Sequence, residues 1–135
     1  MLGKVVLILG ISLCLTGCTS ISEKALDADK LQLQTRSYQT RELEIKDPKV
    51  ALRAVIATLQ DLGFIVERTD ARLGLISAKS FRDASSMTVT VRKVDAHKVV
   101  VRASAQGKSS AITEPKAYQN FFNALNQSLY LELNS

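Results

Sequence analysis

The sequence predicts an α+β fold: a two-layer sandwich, mainly an antiparallel sheet covered on one face by two helices, in the order β-α-β-β-β-β-α. Three observations predict it. Residues 87–94 and 99–106 alternate, with Met87, Val89 and Val91 against Thr88, Thr90 and Arg92, and Val99, Val101, Ala103 and Ala105 against Arg102 and Ser104, the period of a half-buried strand. Two other segments, near residues 48–62 and 115–133, repeat their apolar residues at helical spacing. The strands run in succession between those helices, so two amphipathic helices have one wet-and-dry sheet to cover. At 135 residues one domain is expected, and with no Trp the core must be built from Val, Ile, Leu and Ala with a few aromatics.

Taken in order, residues 31–45 (LQLQTRSYQTRELEI) place Leu31, Leu33, Leu43 and Ile45 on one parity. That is strand periodicity with a polar middle, and it predicts an edge strand or an irregular start. Asp47-Pro48 then opens a helix: Asp47 can accept free amides as N-cap and Pro48 suits the first helical position. Leu52, Val55, Ile56, Leu59 and Leu62 form its apolar face, and Gly63 is placed to end it in a left-handed turn. Residues 64–69, 75–81, 87–94 and 99–106 are four strands joined by turns at DARLG, RDASS and DAHK, with Asp70 expected to cap the first turn. For the last helix, Thr113 is the expected N-cap and Pro115 falls in the first turn. Tyr118, Phe121, Phe122, Leu125, Leu129 and Leu133 form its stripe.

The first residues carry a different signal. The apolar run behind Lys4 is too short to span a bilayer, which needs about 20 apolar residues. A short positive start, a short apolar stretch and small residues at its end are the pattern of a secretory signal. Leu15-Thr16-Gly17-Cys18 resembles a bacterial lipobox. That resemblance implies a signal peptide over residues 1–17, cleavage before Cys18, a diacylglyceryl group on the Cys18 sulfur and an acyl chain on its new amine. A thiol is the side chain here nucleophilic enough to take the lipid. With Cys14 removed and Cys18 acylated, the mature chain keeps no free thiol, disulfide or cysteine ligand. Thr19 after the cysteine is similar to the outer-membrane-sorted pattern, which implies the periplasmic face of the outer membrane, or the plasma membrane in a Gram-positive host. Residues 18–30, polar and mixed in charge, read as the lipidated cysteine and a flexible tether, leaving 31–135 as a single periplasmic domain.

Chemistry is sparse along the rest of the chain. His97 is the only histidine and lies in the turn DAHK beside Asp95; one His and one carboxylate do not make a zinc site. Asp61, Glu67, Asp70, Asp83 and Asp95 are scattered, no glycine-rich phosphate loop exists, and no catalytic residue, metal site or cofactor is expected. A net charge of +5 favours anionic surfaces but is far from a nucleic-acid-binding run. Arg92, Lys93, Lys98 and Arg102 cluster around one hairpin, either as a solvated face or as a patch for an acidic partner or phosphorylated headgroup.

Residues 59–78 (LQDLGFIVERTDARLGLISA) add a resemblance: an amphipathic helix, LGF, a strand, an Asp, then a Gly-led strand. The unit is similar to the helix-grip-like domains of the C lipoprotein of the outer-membrane β-barrel assembly machine and to small envelope lipoproteins with an RAVIATLQDLGF helix. It implies a shared fold more than a shared task. The expectation is a non-enzymatic lipoprotein that docks onto another envelope protein. The alternative is a binder of envelope glycolipid or another amphiphile through a groove or the basic sheet face.

Overall fold

The computed structural model describes residues 19–135, with side chains from Lys24 onward. Its elements are α1 (Thr19–Gln39), β1 (Thr40–Leu43), α2 (Pro48–Asp61), β2 (Phe64–Asp70), β3 (Leu75–Ser80), β4 (Ser86–Lys93), β5 (Val99–Gln106) and α3 (Pro115–Leu133). A boundary between compact units falls between Leu33 and Gln34. From Gln34 onward the chain forms one unit with the expected β-α-β-β-β-β-α order.

The sheet has five strands in the order β1-β5-β4-β3-β2, antiparallel at every step. Strand parity sorts its side chains onto two faces. Ile76, Ala78, Met87, Val89, Val91, Val99, Val101, Ala103 and Ala105 are buried in the core with α2 and α3. The opposite parity, carrying Thr88, Arg92, Arg102 and Ser104, is exposed. The alternation read in residues 87–106 is therefore the real division between dry and wet faces.

α2 begins as expected, with the Lys49 N–H donating to Asp47 Oδ1 at 2.9 Å and Pro48 in the first turn. It ends at Gly63, whose φ of +85° is open to glycine at no steric cost. Its buried face is rotated from the expected one: Ala51, Ala54 and Thr58 are buried, while Leu62 is exposed. Small residues there let α2 lie close to its neighbours. The Thr58 hydroxyl donates to the Ala54 carbonyl at 2.7 Å and lies 3.0 Å from the Ser128 hydroxyl of α3. α3 buries Tyr118, Phe121, Phe122, Leu125 and Leu129 as expected, but Leu133 is exposed. Its N-cap is Glu114, which makes no side-chain capping bond, so Thr113 does not cap it.

One expectation at the start of the chain is overturned. Thr19–Gln39 is one helix, so the strand over residues 31–39 is not found and β1 is confined to Thr40–Leu43; the residues read as a tether lie in the same helix. The run holds neither Gly nor Pro and draws much of its length from Leu, Gln, Lys and Ala, all good helix formers. Between Lys24 and Tyr38 nothing in it is buried, and Leu26, Leu31 and Leu33 are exposed. Alternation at Leu31 and Leu33 was a coincidence of composition, with no dry surface behind it.

β1 is also too short to cover β5. It pairs with Val99 through Arg102 only. Beyond Arg102 the same edge of β5 is closed by other means. The Ala105 N–H donates to the Tyr118 hydroxyl at 3.1 Å, the Ile112 N–H donates to the Ala105 carbonyl at 2.9 Å, and Gln106 bridges Ala111. Tyr118 in turn donates to the Ile112 carbonyl at 2.6 Å and accepts from Gln39 Nε2 at 3.1 Å.

Candidate functional site

The open face of the sheet is where the sequence-derived cationic residues can be tested by position. Arg92 stands opposite Val100, and Arg102 stands opposite Thr90 and Thr40. The two arginines are therefore diagonal neighbours on one face, a spacing of roughly 7–8 Å in an antiparallel pair. Lys93 takes the opposite parity from Arg92, at the end of β4, and Lys98 lies half-buried in the β4–β5 connection. The structure thus brings together Arg92 and Arg102 and leaves Lys93 and Lys98 out of the group.

Around the arginine pair, Thr40, Leu73, Thr90 and Val100 complete a depression of about 460 Å³. Leu73 arrives from the β2–β3 turn, which Asp70 shapes: its Oδ1 accepts from the Arg72 and Leu73 N–H groups at 3.0 and 3.1 Å. Gly74 follows with φ +66°, and its carbonyl accepts from the Val91 N–H at 2.7 Å. A Cβ at Gly74 would run into the Val91 carbonyl oxygen, so this turn folds close over β4 only as glycine. The turn and the arginines are thereby set in one rigid frame.

Electrostatically the face is cationic. Arg68 and Lys79 share it by register with Arg92 and Arg102, against Glu42 and Asp70. Among the described residues the ion pair present is Arg53–Glu132 at 3.3 Å, on the helix layer, so neither Arg92 nor Arg102 is paired with a carboxylate. Arg41 belongs to the other face, where its guanidinium sits 4.8 Å from the Phe122 ring centre and caps the core. Two guanidiniums with no partner, flanked by Leu73 and Val100, can fork onto a carboxylate or phosphate while an apolar portion lies alongside.

His97 is exposed, in a turn where its N–H donates to Asp95 Oδ1 at 2.8 Å. Among the described residues no group of three or more His, Cys, Asp or Glu is placed to hold a metal ion. No described helix is long and apolar enough to cross a membrane. Leu15, Thr16, Gly17 and Cys18 lie outside the described residues.

Sequence reasoning missed Thr40, Leu73, Thr90 and Val100. Thr90 and Val100 were legible in principle, because both share the wet parity of the arginines. Leu73 was not, since its place depends on the backbone bend at Gly74. No known family's sequence pattern matches the chain, and no curated protein matches it.

Proposed function

We propose that this chain is a non-enzymatic, lipid-anchored accessory module of the bacterial envelope that docks onto another envelope protein through the open face of its sheet. Acylated Cys18 holds it at the periplasmic face of the outer membrane, or at the plasma membrane in a Gram-positive host. The diacylglycerol and N-acyl chain are its only attached groups. Two or more chains anchor firmly where one is marginal, at about 0.8 kcal/mol per buried methylene.

The observation that carries the docking surface is the adjacent, unpaired Arg92 and Arg102 in a depression walled by Leu73 and Val100. Both arginines stand on central strands closed by helices behind, so binding orders little backbone. A second reading draws on the same pair. A guanidinium fork beside apolar walls also suits the phosphate of an envelope glycolipid.

The test is in-cell crosslinking from a photoreactive residue at Thr90, with mass spectrometry of what is joined. One dominant envelope protein, lost in Arg92→Ala/Arg102→Ala, is the expected result. Enriched lipid with salt-sensitive loss in the same variant would move the assignment to the glycolipid. An adduct pattern indifferent to the double substitution would overturn both.

A further inference from the structure

Exposed apolar side chains gather at one corner of the sheet. Phe81 is 84% exposed, more than any other large apolar side chain among the described residues. It stands just past the end of β3, where its N–H donates to the Gly63 carbonyl at 3.4 Å. The residue opposite it is thus a glycine, with no side chain to shelter the ring. Two residues on, Ile65 is 55% exposed and pairs with Lys79; Leu62, 39% exposed, precedes the glycine. Arg82 follows Phe81 and is exposed as well. The turn beyond is held by Asp83, whose Oδ1 accepts from the Ser85 N–H and hydroxyl. Phe81 is therefore carried on a fixed tip rather than a loose loop.

From this corner we infer that Phe81, with Ile65 and Leu62 beside it, enters a lipid bilayer and gives the domain a second contact with the membrane. The inference rests on the proposed anchor at Cys18, which would confine the chain to that surface. Three features select lipid over a protein partner. A ring that stands this far out needs a matching pocket in a protein, whereas acyl chains close around it without one. Lys79 and Arg82 bracket the apolar group, and their long stems can lie along acyl chains while the charged heads stay among the headgroups. Asp61 and Asp83 stand at the same corner and offset those two cations. Apolar entry therefore carries the contact, and it needs no anionic lipid. Third, the chain arrives at this end of the sheet. β1 starts at Thr40 opposite Arg102 and runs antiparallel to β5, so the residues before it lie toward Gln106; Gln39 is bonded to the Tyr118 hydroxyl that also serves Ala105. Gln106 pairs with Ser86 and Ser86 with Lys79, so Phe81 stands at the end where the chain enters. A contact made by this end keeps the open face upright, with the arginine depression held away from the lipid.

The chain has no Trp, so Phe81→Trp supplies a single reporter that keeps a large aromatic at the tip. The full chain, made in bacteria and extracted in detergent, is placed in phosphatidylcholine vesicles whose acyl chains carry bromine. Emission of Phe81→Trp should shift to the blue and be quenched. Adding Ile65→Ser, at an exposed position, should cut the quenching about twofold or more, because it removes apolar area from the contact. Val94→Trp, at a position 54% exposed at the opposite end of the sheet, should emit as in water and stay unquenched. Mass spectrometry of the same samples reads the acyl groups on Cys18, so loss of the anchor and loss of the contact are separate results. Quenching of Phe81→Trp in a chain without acyl groups would sink the anchor and keep the contact. Unquenched emission from Phe81→Trp, with the acyl groups or without them, would overturn the inference, as would equal quenching from Val94→Trp.

Discussion

One carboxylate holds the β3–β4 connection in shape. Asp83 Oδ1 accepts from the Ser85 hydroxyl at 2.7 Å and from the Ser85 N–H at 3.1 Å. Those bonds keep Ala84 at φ +57°, a left-handed conformation that costs a non-glycine residue about 1 kcal/mol. The Ser85 hydroxyl, then Ser80, hold the Asp83 carboxyl at about 2, below its ordinary 3.8. A pKa depressed by folding adds stability that is complete above the unfolded value and fades as pH falls through the folded one. The connection should therefore be fully held above about pH 4 and loosen toward pH 2. Carboxyl NMR titration should find the Asp83 midpoint near 2 and, in Ser85→Ala, a midpoint moved back toward the ordinary carboxylate range; an unmoved midpoint would remove the serine from the account. At this scale the sequence was readable where a side chain bonds its own turn, as with Asp47 and Asp70. It was silent where the partner is far away, as with Gln39 and Tyr118, which are 79 residues apart.

Among the elements, β5 poses the main structural problem, because β1 covers only half of one edge. The Tyr118 hydroxyl completes that edge and joins three segments: the end of α1, the approach to α3 and β5 itself. Tyr118→Phe should cost about 2 kcal/mol, since it leaves the buried Ala105 N–H and the part-buried Ile112 carbonyl without their partner. Urea unfolding followed by circular dichroism measures this. Tyr38→Phe, at a side chain 39% exposed, should move the midpoint little by comparison. The hairpins β2 to β5 and both core helices were legible because burial on one side imposes a period on the chain. α1 was not, since a helix that buries nothing between Lys24 and Tyr38 leaves no period to read. The rotation of α2 was hidden for a related reason. Ala51, Ala54 and Thr58 are chosen for smallness, and a count of large apolar residues passes over them.

For the whole molecule, the proposed anchor makes a prediction separate from docking. Cys18→Ser should abolish acylation and strand an unprocessed precursor, read by mass spectrometry and metabolic lipid labelling. A normally processed, unlipidated variant would sink the anchor while leaving the arginine depression to be judged by itself. That site was half legible: strand parity gave Arg92 and Arg102, but the neighbours that make it a depression come from a turn and an edge strand. The half-covered edge of β5 also has a consequence in time. Chains are made from the N-terminus, and the residue that closes this edge lies near the C-terminus, 13 positions beyond Ala105. Until that last segment is present, part of a five-stranded sheet stands with unmet backbone groups, a template for pairing with other chains. A nonsense truncation before Tyr118 would therefore yield an aggregating species, and clearance by proteases would set how much of it a cell ever holds.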